Sequence, residues 1–353
     1  MNIQNFIKYL VLDSTSVLNA LKRLDAVSDN GMLTLFVIDE LNHVIGSLTD
    51  GDCRRALING ASLTDPVVAV MRKDFTYIDD DNYSSGLISF IRQKGIKLVP
   101  YLYKDKTVKK ILDFSNGKSY LPIDAVLMAG GKGERLRPLT LHTPKPLLKV
   151  ADKPIIDYNI DNLIHCGIDN INVTVNYLAE QIEEHFSAEK NGVKIKCIRE
   201  GEKFLGTIGG VQYIKDWHND VVLLMNSDLF TNINLEEFYL HFLKNNADMS
   251  VAAMPYNVNI PYGILDIENK RNIIGIKEKP NYYYYANAGI YLFKRSLLDL
   301  IPRDTFYDAT DFLNELIAKQ YKVIRFPISG YWIDIGKPAD FQKVQEIAGH
   351  FKE

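Results

Sequence analysis

The sequence of 353 residues has few cysteines, no long apolar run and no large surplus of charge of one sign. Cys53, Cys166 and Cys197 are scattered without a C-x-x-C pair, which predicts reduced thiols rather than a disulfide framework. No apolar stretch approaches the ~18 residues of a membrane span, and the first residues lack the basic and apolar segments of a secretory signal. We therefore expect a cytoplasmic protein that does not act at a membrane.

Charge and histidine spacing argue against two further classes. The net charge of −3 gives no reason to expect nucleic acid as a partner. The seven histidines show no H-E-x-x-H-like spacing, so a zinc site is not predicted. At this length, two domains could each bury a core of their own.

A glycine-rich loop that follows a short apolar run is the most informative segment. Residues 125–128 have the length of a buried strand, and Gly130, Gly131 and Gly133 follow them. Without a Cβ, these residues let backbone N–H groups approach an anion closely. Three cations come next, and fixed cations beside a glycine loop suit a polyphosphate: Arg135, Arg137 and Lys145.

This loop differs from the two best-known phosphate loops. Leu136 stands where a dinucleotide-binding loop has its third glycine, and Gly133 stands where a P-loop has serine or threonine. What remains, G-G-x-G-x-R-L-x-P-L-T followed by T-P-K-P-L, resembles the sugar-1-phosphate nucleotidyltransferases. The resemblance implies catalytic roles for Arg135 and Lys145. It also implies nucleotide contacts from the loop, although Glu134 replaces a small hydroxyl residue of many members: Ala129, Gly130, Gly131, Lys132, Gly133 and Glu134.

Two acids stand in settings where they could share a cation. Asp228 ends the Asn-Ser-Asp sequence that directly follows the apolar run 221–225, at the edge of a parallel sheet where ligands bind, and Asp334 lies in an apolar and glycine segment. Mg²⁺ typically takes one or two protein carboxylates together with phosphate oxygens and water. Alternatively, each acid caps a turn or a helix. The resemblance implies that Asp228 and Asp334 hold a catalytic Mg²⁺ and that Asp228 is catalytic.

A second glycine segment, 205–210, is predicted either to read a nucleobase or to form a plain helix-start turn. The resemblance implies base contacts from Gly206, Thr207 and Gly209. The Leu-Gly-Thr form is more similar to guanylyl- than to thymidylyltransferases, so GTP is the expected nucleotide.

A hairpin inserted at 263–276 is predicted to carry the sugar site. Glutamate and asparagine suit sugar hydroxyls, and a lysine suits the sugar phosphate, although a Glu-Lys-Pro sequence is also typical of a solvated turn. Tyrosines 282–285 are interpreted as a strand with one buried and one exposed face. The resemblance implies sugar-phosphate contacts from four residues: Gly263, Glu278, Lys279 and Asn287.

The N-terminal part contains two units of similar length, and the small polar segment 113–119 reads as a linker to the rest. We therefore expect domains at 1–117 and 122–353. The paired pattern, with a helix expected to begin near Thr107, resembles a small α+β pair of cystathionine-β-synthase (CBS) domains. The resemblance implies that Thr49 and Asp52 hold the ribose of an adenine nucleotide. Alternatively they form a helix cap, and the pair is a dimerisation module, since the second unit lacks this motif.

From residue 123 onward, strands and helices alternate, which predicts a doubly wound α/β domain with a mainly parallel sheet. The resemblance implies transfer of a nucleoside monophosphate from an NTP, expected to be GTP, to a sugar 1-phosphate in a homo-oligomer. The domain order is most similar to glucosamine-1-phosphate guanylyltransferases of legionaminic acid biosynthesis. Mannose- or heptose-1-phosphate guanylyltransferase activity and a non-catalytic nucleotide sensor are the alternatives.

Overall fold

The computed structural model describes residues 6–28, 33–79, 82–115, 120–201 and 205–350. Contacts between Cα atoms divide the chain into two compact units, Met1–Tyr120 and Leu121–Glu353. Of the predicted linker 113–119, residues 116–119 lie outside the described residues. No helix among the described residues is long and apolar enough to cross a bilayer.

Within its described residues, the N-terminal unit combines a three-stranded sheet, a two-stranded hairpin and three α-helices. Its elements are β1 (Leu10–Leu12), α1 (Val17–Ala26), β2 (Thr34–Ile38), β3 (Val44–Thr49), α2 (Asp50–Ile58), α3 (Ser85–Gln93), β4 (Leu98–Leu102) and β5 (Val108–Asp113). In the sheet, β2 pairs in parallel with β1 and antiparallel with β3, while β4 pairs antiparallel with β5. Leu35 and Leu48 from the sheet share one buried cluster with Leu102 and Ile111 from the hairpin.

The helix expected to begin near Thr107 is wrong, because this segment forms strand β5. Lys106 adopts a positive φ of 68°, and Thr107 donates from its backbone N–H to Asp105 Oδ1 at 2.9 Å. These features close a tight turn, and β5 then runs back along β4 with Ile111 opposite Pro100. This tight turn and the antiparallel pairing with β4 keep the segment extended, which explains the difference.

The C-terminal unit is built on a seven-stranded sheet in the order β10-β9-β6-β11-β16-β13-β17. Only β16 runs antiparallel to its neighbours in this sheet, so the prediction of a mainly parallel sheet is confirmed. The elements are β6 (Ile123–Ala129), β7 (Lys149–Val150), β8 (Lys153–Pro154), α4 (Ile155–His165), β9 (Ile171–Val175), α5 (Ala179–His185), β10 (Ile195–Arg199), β11 (Val221–Asn226), β12 (Leu229–Thr231), α6 (Leu235–Lys244), β13 (Met249–Asn259), β14 (Ile264–Glu268), β15 (Asn272–Lys277), β16 (Asn281–Lys294), α7 (Ala309–Ala318), β17 (Val323–Pro327), β18 (Trp332–Asp334) and α8 (Pro338–His350).

Helices cover both faces of this sheet. On one face, Phe312 of α7 packs against Phe293 of β16, with ring centroids 5.4 Å apart. On the other face, Phe238 of α6 packs against Phe326 of β17 at 4.9 Å. The central strand β11 is consequently buried from Val221 to Met225, as its continuous apolar run predicts.

The long strands β13 and β16 continue beyond the core as a two-stranded ribbon. Here Tyr256 lies opposite Tyr284, and Asn257 lies opposite Tyr283. Tyr283, Tyr284 and Tyr285 are all exposed, so the expectation of one buried tyrosine face is wrong. The ribbon has left the layer that the helices cover, and its alternating side chains therefore meet solvent on both faces.

Candidate active site

A cavity of about 380 Å³ lies at the carboxyl ends of the parallel strands of the C-terminal unit. Thr174 of β9, Asn226 of β11 and Glu200, which directly follows β10, reach it from the sheet. Open α/β sheets place ligands at this edge. Most of the predicted nucleotide and catalytic residues line the cavity: Ala129, Gly130, Gly131, Gly133, Glu134, Arg135, Lys145, Gly206, Thr207 and Asp228.

The glycine loop is held in a conformation that a larger residue would disturb. Gly133 has a φ of +60°, and a Cβ there would lie 3.0 Å from Thr140 Cγ2 and 3.1 Å from Lys145 Cβ. Thr140 Oγ1 donates a hydrogen bond to the Gly133 carbonyl at 2.8 Å. This packing fixes the loop beside Lys145, whereas the exposed Lys132 does not line the cavity.

The two predicted acids meet because β12 pairs antiparallel with β18. In that pairing Leu229 lies opposite Asp334, and Ile335 donates its N–H to the Asp228 carbonyl at 3.3 Å. Lys145 Nζ forms an ion pair with Asp228 Oδ2 and lies 3.9 Å from Asp334 Oδ1. The structure thus places one ammonium between two carboxylates that are 106 residues apart in sequence.

The negative charge of the Asp334 carboxylate is only partly neutralised by its neighbours in this cluster. Its burial raises its pKa, and repulsion from Asp228 adds to that rise, while Lys145 and Arg135 oppose it. The Arg135 guanidinium lies against the backbone that follows β18, since a Cβ on Gly336 would be 3.5 Å from Arg135 Nη1. Additional positive charge beside Asp334 would therefore be favourable.

The donor set at this point fits a hard cation. Asp228 Oδ1 is buried and has no hydrogen-bond partner within the described residues. The described part of the chain contains no group of three or more His, Cys, Asp and Glu side chains placed to hold a metal. A cation here would have two protein carboxylates, and bound phosphate and water would supply its other ligands, the arrangement that Mg²⁺ favours.

Glu200 is a cavity residue that the sequence analysis missed. Its side chain lies against two glycines, because a Cβ at Gly130 or Gly210 would come within 2.9 Å or 2.7 Å of Glu200 Oε1. Oε2 is buried and has no hydrogen-bond partner among the described residues. Burial raises the pKa of Glu200 to about 7, against the effect of the Leu205 backbone N–H. A local signal existed, because this acid ends an alternating segment, but Gly130 lies 70 residues earlier in the sequence.

The Leu-Gly-Thr turn is anchored on helix α7. Gly206 has a φ of +82°, and a Cβ there would lie 2.5 Å from the Tyr307 carbonyl oxygen. Thr207 donates to Asp308 Oδ1 from its backbone N–H at 2.9 Å and from its hydroxyl at 3.1 Å. The predicted contact Gly209 packs against Leu205 and does not line the cavity.

The four predicted sugar residues fall into two groups, and none of them lines the described cavity. Gly263 and Glu278 meet at the base of the β14–β15 hairpin, since a Cβ on Gly263 would lie 3.1 Å from Glu278 Oε2. Lys279 follows with a φ of +44° and is exposed. The fourth residue, Asn287, lies apart from these three on β16.

Asn287 connects with the cavity through its neighbours. Its Nδ2 donates to the Tyr291 hydroxyl at 2.8 Å, and its Oδ1 accepts from the Gly289 N–H at 3.0 Å. Gly289 has a φ of +68°, and a Cβ there would lie 2.5 Å from Nδ2 of Asn226, which lines the cavity. Asn287 therefore helps to set the cavity wall on the β16 side.

In the N-terminal unit, Thr49 and Asp52 form a capping box at the start of α2. Asp52 N–H donates to Thr49 Oγ1 at 3.2 Å, and Thr49 N–H donates to Asp52 Oδ2 at 3.0 Å. Arg55 donates to the other Asp52 oxygen at 2.5 Å. The capping interpretation therefore accounts for both residues. Thr49 also borders a cavity of about 370 Å³ in this unit, together with Ser47, Arg72 and Lys94.

The C-terminal unit is similar to a known protein family. Residues 124–349 match the model of the nucleotidyl transferase family. The chain belongs to this family.

Several curated relatives are similar to part of this chain. The bifunctional protein GlmU of Methanocaldococcus jannaschii is 36% identical over 225 residues, which cover 62% of this chain and 52% of GlmU. A putative mannose-1-phosphate guanyltransferase of Sulfolobus acidocaldarius is 31% identical, covering 63% of this chain and 62% of the relative. A probable mannose-1-phosphate guanylyltransferase 2 of Arabidopsis thaliana is 34% identical, covering 62% of each. The chain thus spans between half and two thirds of the length of these relatives.

Proposed function

We propose that this protein transfers a nucleoside monophosphate from an NTP to a sugar 1-phosphate and releases pyrophosphate. The observation that carries the proposal is the position of Lys145, between Asp228 and Asp334 and beside the glycine loop. The chain that carries these groups belongs to the nucleotidyl transferase family, and two of its relatives are named as mannose-1-phosphate guanylyltransferases. A non-catalytic sensor would not need this charged cluster to be retained.

In this reaction an oxygen of the sugar phosphate attacks the α-phosphorus in line, and pyrophosphate leaves. A phosphate monoester has a second pKa near ~6 and is already mostly dianionic at neutral pH, so no general base is needed. The main difficulty is to bring two polyanions together, which makes positioning and charge neutralisation dominant. The loop N–H groups from Gly130 to Gly133 would bind the triphosphate, and Arg135 and Lys145 would neutralise the charge of the departing pyrophosphate.

Asp228 and Asp334 would hold Mg²⁺, which when bound would neutralise phosphate charge between the two substrates. Lys145 remains next to the same carboxylates, so its side chain would be aimed at the phosphate groups. The ion pair with Asp228 positions this ammonium at the end of β11. Asp228 Oδ1, which has no hydrogen-bond partner in the described part of the chain, supports this assignment.

GTP is the nucleotide that the cavity suits best. Glu200 lines the cavity next to the Leu-Gly-Thr turn, and its buried Oε2 has no hydrogen-bond partner among the residues that the structure describes. Guanine presents two adjacent donors, N1–H and the exocyclic N2–H₂, which match a carboxylate that only accepts hydrogen bonds. Uracil and thymine present a single donor between two acceptors and would repel the second oxygen.

For the sugar, we propose glucosamine 1-phosphate as substrate, with contacts from Gly263, Glu278, Lys279 and Asn287. Mannose 1-phosphate is the second candidate, because two of the relatives are named as mannose-1-phosphate guanylyltransferases. In the N-terminal unit, the basic residues Arg72 and Lys94 border a cavity together with Thr49, which supports binding of an adenine nucleotide. The capping box of Thr49 and Asp52 supports the alternative, a structural or dimerising CBS-like module.

The experiment is a pyrophosphate-release screen of ATP, GTP, CTP and UTP, together with dTTP, against glucosamine, mannose, heptose and glucose 1-phosphates. We expect GTP to exceed the other nucleotides by at least ~10²-fold in kcat/KM, as hydrogen-bond readout allows. Preference for a pyrimidine nucleotide would refute the guanine assignment. Tight nucleotide binding without turnover on any sugar phosphate would favour the sensor.

A further inference from the structure

The Leu-Gly-Thr turn borders the cavity of the C-terminal unit, but a residue outside the cavity holds it in place. Gly206 and Thr207 line the cavity, whereas Asp308, the residue before α7, does not line it. Thr207 and Asp308 are 101 residues apart in sequence. The position of the turn at the cavity wall therefore depends on a contact between two distant segments of the chain.

Thr207 makes three hydrogen bonds to the start of α7. Its backbone N–H and its hydroxyl both donate to Asp308 Oδ1, at 2.9 Å and 3.1 Å. The same hydroxyl accepts from the Ala309 N–H at 2.8 Å. A hydroxyl can donate one hydrogen bond while it accepts another, so the three bonds are compatible. Together they constrain both the backbone and the side chain of Thr207.

The backbone of the turn is paired with the same segment. The Tyr307 N–H donates to the Leu205 carbonyl at 2.9 Å, and the Ile208 N–H donates to the Tyr307 carbonyl at 3.2 Å. Between these two bonds, a Cβ on Gly206 would lie 3.0 Å from Asp308 Oδ1. The Asp308 side chain therefore completes a close junction that backbone hydrogen bonds begin.

We infer that Asp308 is a positioning residue for recognition of the nucleobase and that it acts through Thr207. The inference rests on the proposed function, in which the Leu-Gly-Thr turn and Glu200 contact the base. Without the Asp308 carboxylate, the N–H and the hydroxyl of Thr207 both lose their acceptor, and the turn can shift at the cavity wall. Misplacement of a contact by about 1 Å can cost on the order of a hundredfold in rate.

The test measures pyrophosphate release by variants of the full-length chain. Asp308→Ala removes the acceptor of both Thr207 donors, so we expect the KM for GTP to rise at least about tenfold. Because the base is remote from the reacting phosphorus, kcat should stay close to the wild-type value. The ratio of kcat/KM for GTP to that for ATP should fall, since a misplaced turn loses contacts that distinguish the two bases.

Two further variants at Asp308 separate its hydrogen bonds from its effect on folding. Asp308→Asn keeps an oxygen that accepts from Thr207, so it should retain most of the preference for GTP. Asp308→Gly also removes the acceptor, but glycine is tolerated at a helix N-cap. It takes the place of Asp308→Ala in the comparison if the alanine variant does not fold.

Asp311→Ala is the matched control for the cap of α7. Asp311 Oδ2 accepts from the Asp308 N–H at 3.1 Å, so this variant weakens the same helix start without removing a contact of Thr207. It should melt at a lower temperature than the wild type and keep the wild-type KM for GTP. Without nucleotide, amide hydrogens of residues 205–208 should exchange faster in Asp308→Ala than in Asp311→Ala.

Three results would overturn the inference. A folded Asp308→Ala or Asp308→Gly variant could keep the wild-type KM and the wild-type GTP-to-ATP ratio. Asp311→Ala could weaken use of GTP as much as Asp308→Ala does, which would assign the effect to the helix cap. Asp308→Asn could behave like Asp308→Ala, which would exclude the hydrogen bonds to Thr207 as the cause.

Failure of the proposed function gives a different result. If the wild type favours another nucleotide, only the guanine assignment fails, and that nucleotide replaces GTP in the comparison. If the wild type binds GTP but transfers no nucleotide to any sugar phosphate, the proposed function fails. Calorimetric titration of the same variants with GTP then decides the role of Asp308. A wild type that binds no nucleotide overturns both proposals.

Discussion

Replacing Glu200 by glutamine tests both the burial of this side chain and its role in binding. Burial raises the pKa of Glu200 from 4.5 to about 7. The folded protein therefore favours the protonated form, so this group's contribution to stability is fully present below pH 4.5 and is lost as the pH rises through 7. Above pH 7 the loss amounts to about 3 kcal/mol, because one pKa unit corresponds to ~1.4 kcal/mol.

Glutamine keeps the size of Glu200 but carries no charge at any pH. We therefore expect Glu200→Gln to melt at least about 5 °C above the wild type at pH 8, since ~1 kcal/mol corresponds to ~2–4 °C for a unit of this size. At pH 4.5 the two proteins should melt at similar temperatures. Calorimetry across this pH range measures the difference.

The same substitution should weaken use of GTP, because the proposed contact requires the ionised carboxylate. With a pKa of about 7, the ionised fraction rises about tenfold between pH 6 and pH 8. The ratio of wild-type to variant kcat/KM for GTP should therefore rise by about that factor. Taking the ratio removes the titration of the substrate phosphates, which affects both proteins equally.

Glu134→Gln is the matched control, since Glu134 lines the same cavity with an exposed side chain. It should change neither the melting temperature at pH 8 nor the base preference. If Glu200→Gln is not stabilised at pH 8, the burial argument fails. If it is stabilised but keeps full preference for GTP, Glu200 is buried without reading the base.

Three further predictions concern other parts of the chain. Asp228→Asn should fold normally and lose most turnover, because an amide binds Mg²⁺ weakly; near-normal kinetics would contradict the metal assignment. Gly289→Ala should lower kcat/KM in steady-state assays at least about tenfold, because the added Cβ would displace Asn226. Gly131→Ala should lower kcat/KM less, because a Cβ at Gly131 would have no atom within 4 Å. Removing residues 1–117 should leave the reaction intact and abolish any response to adenine nucleotides. Calorimetric titration compares adenine-nucleotide binding to the full chain and to the truncated form. An unchanged response would place the adenine-nucleotide site outside residues 1–117.

The sequence predicted those features that local patterns encode. The glycine loop after β6 and the acid after β11 were visible because continuous apolar runs mark buried parallel strands. The alternating strands of the inserted hairpin were also predicted and are confirmed as β14 and β15. In each case a few neighbouring residues determine the element.

The missed features depend on contacts between distant segments. Glu200 belongs to the cavity because Gly130 and Gly210 pack against it, and Gly130 lies 70 residues earlier in the sequence. The β12–β18 pairing joins segments about one hundred residues apart. The exposure of the tyrosines reflects where the ribbon leaves the helix-covered layer, which period-two alternation alone does not reveal.

The β12–β18 ribbon also has a consequence for the order of events during synthesis. Strand β11, which ends two residues before Asp228, can join its sheet as soon as its neighbours have formed, but Asp334 is translated more than one hundred residues after Asp228. Helix α8 then packs Val344 and Ala348 onto a cluster with Phe230 and Ile335. A nascent chain therefore has the glycine loop and a single acid long before the second acid arrives, so the two-acid cluster is incomplete until β18 has been translated and has paired with β12.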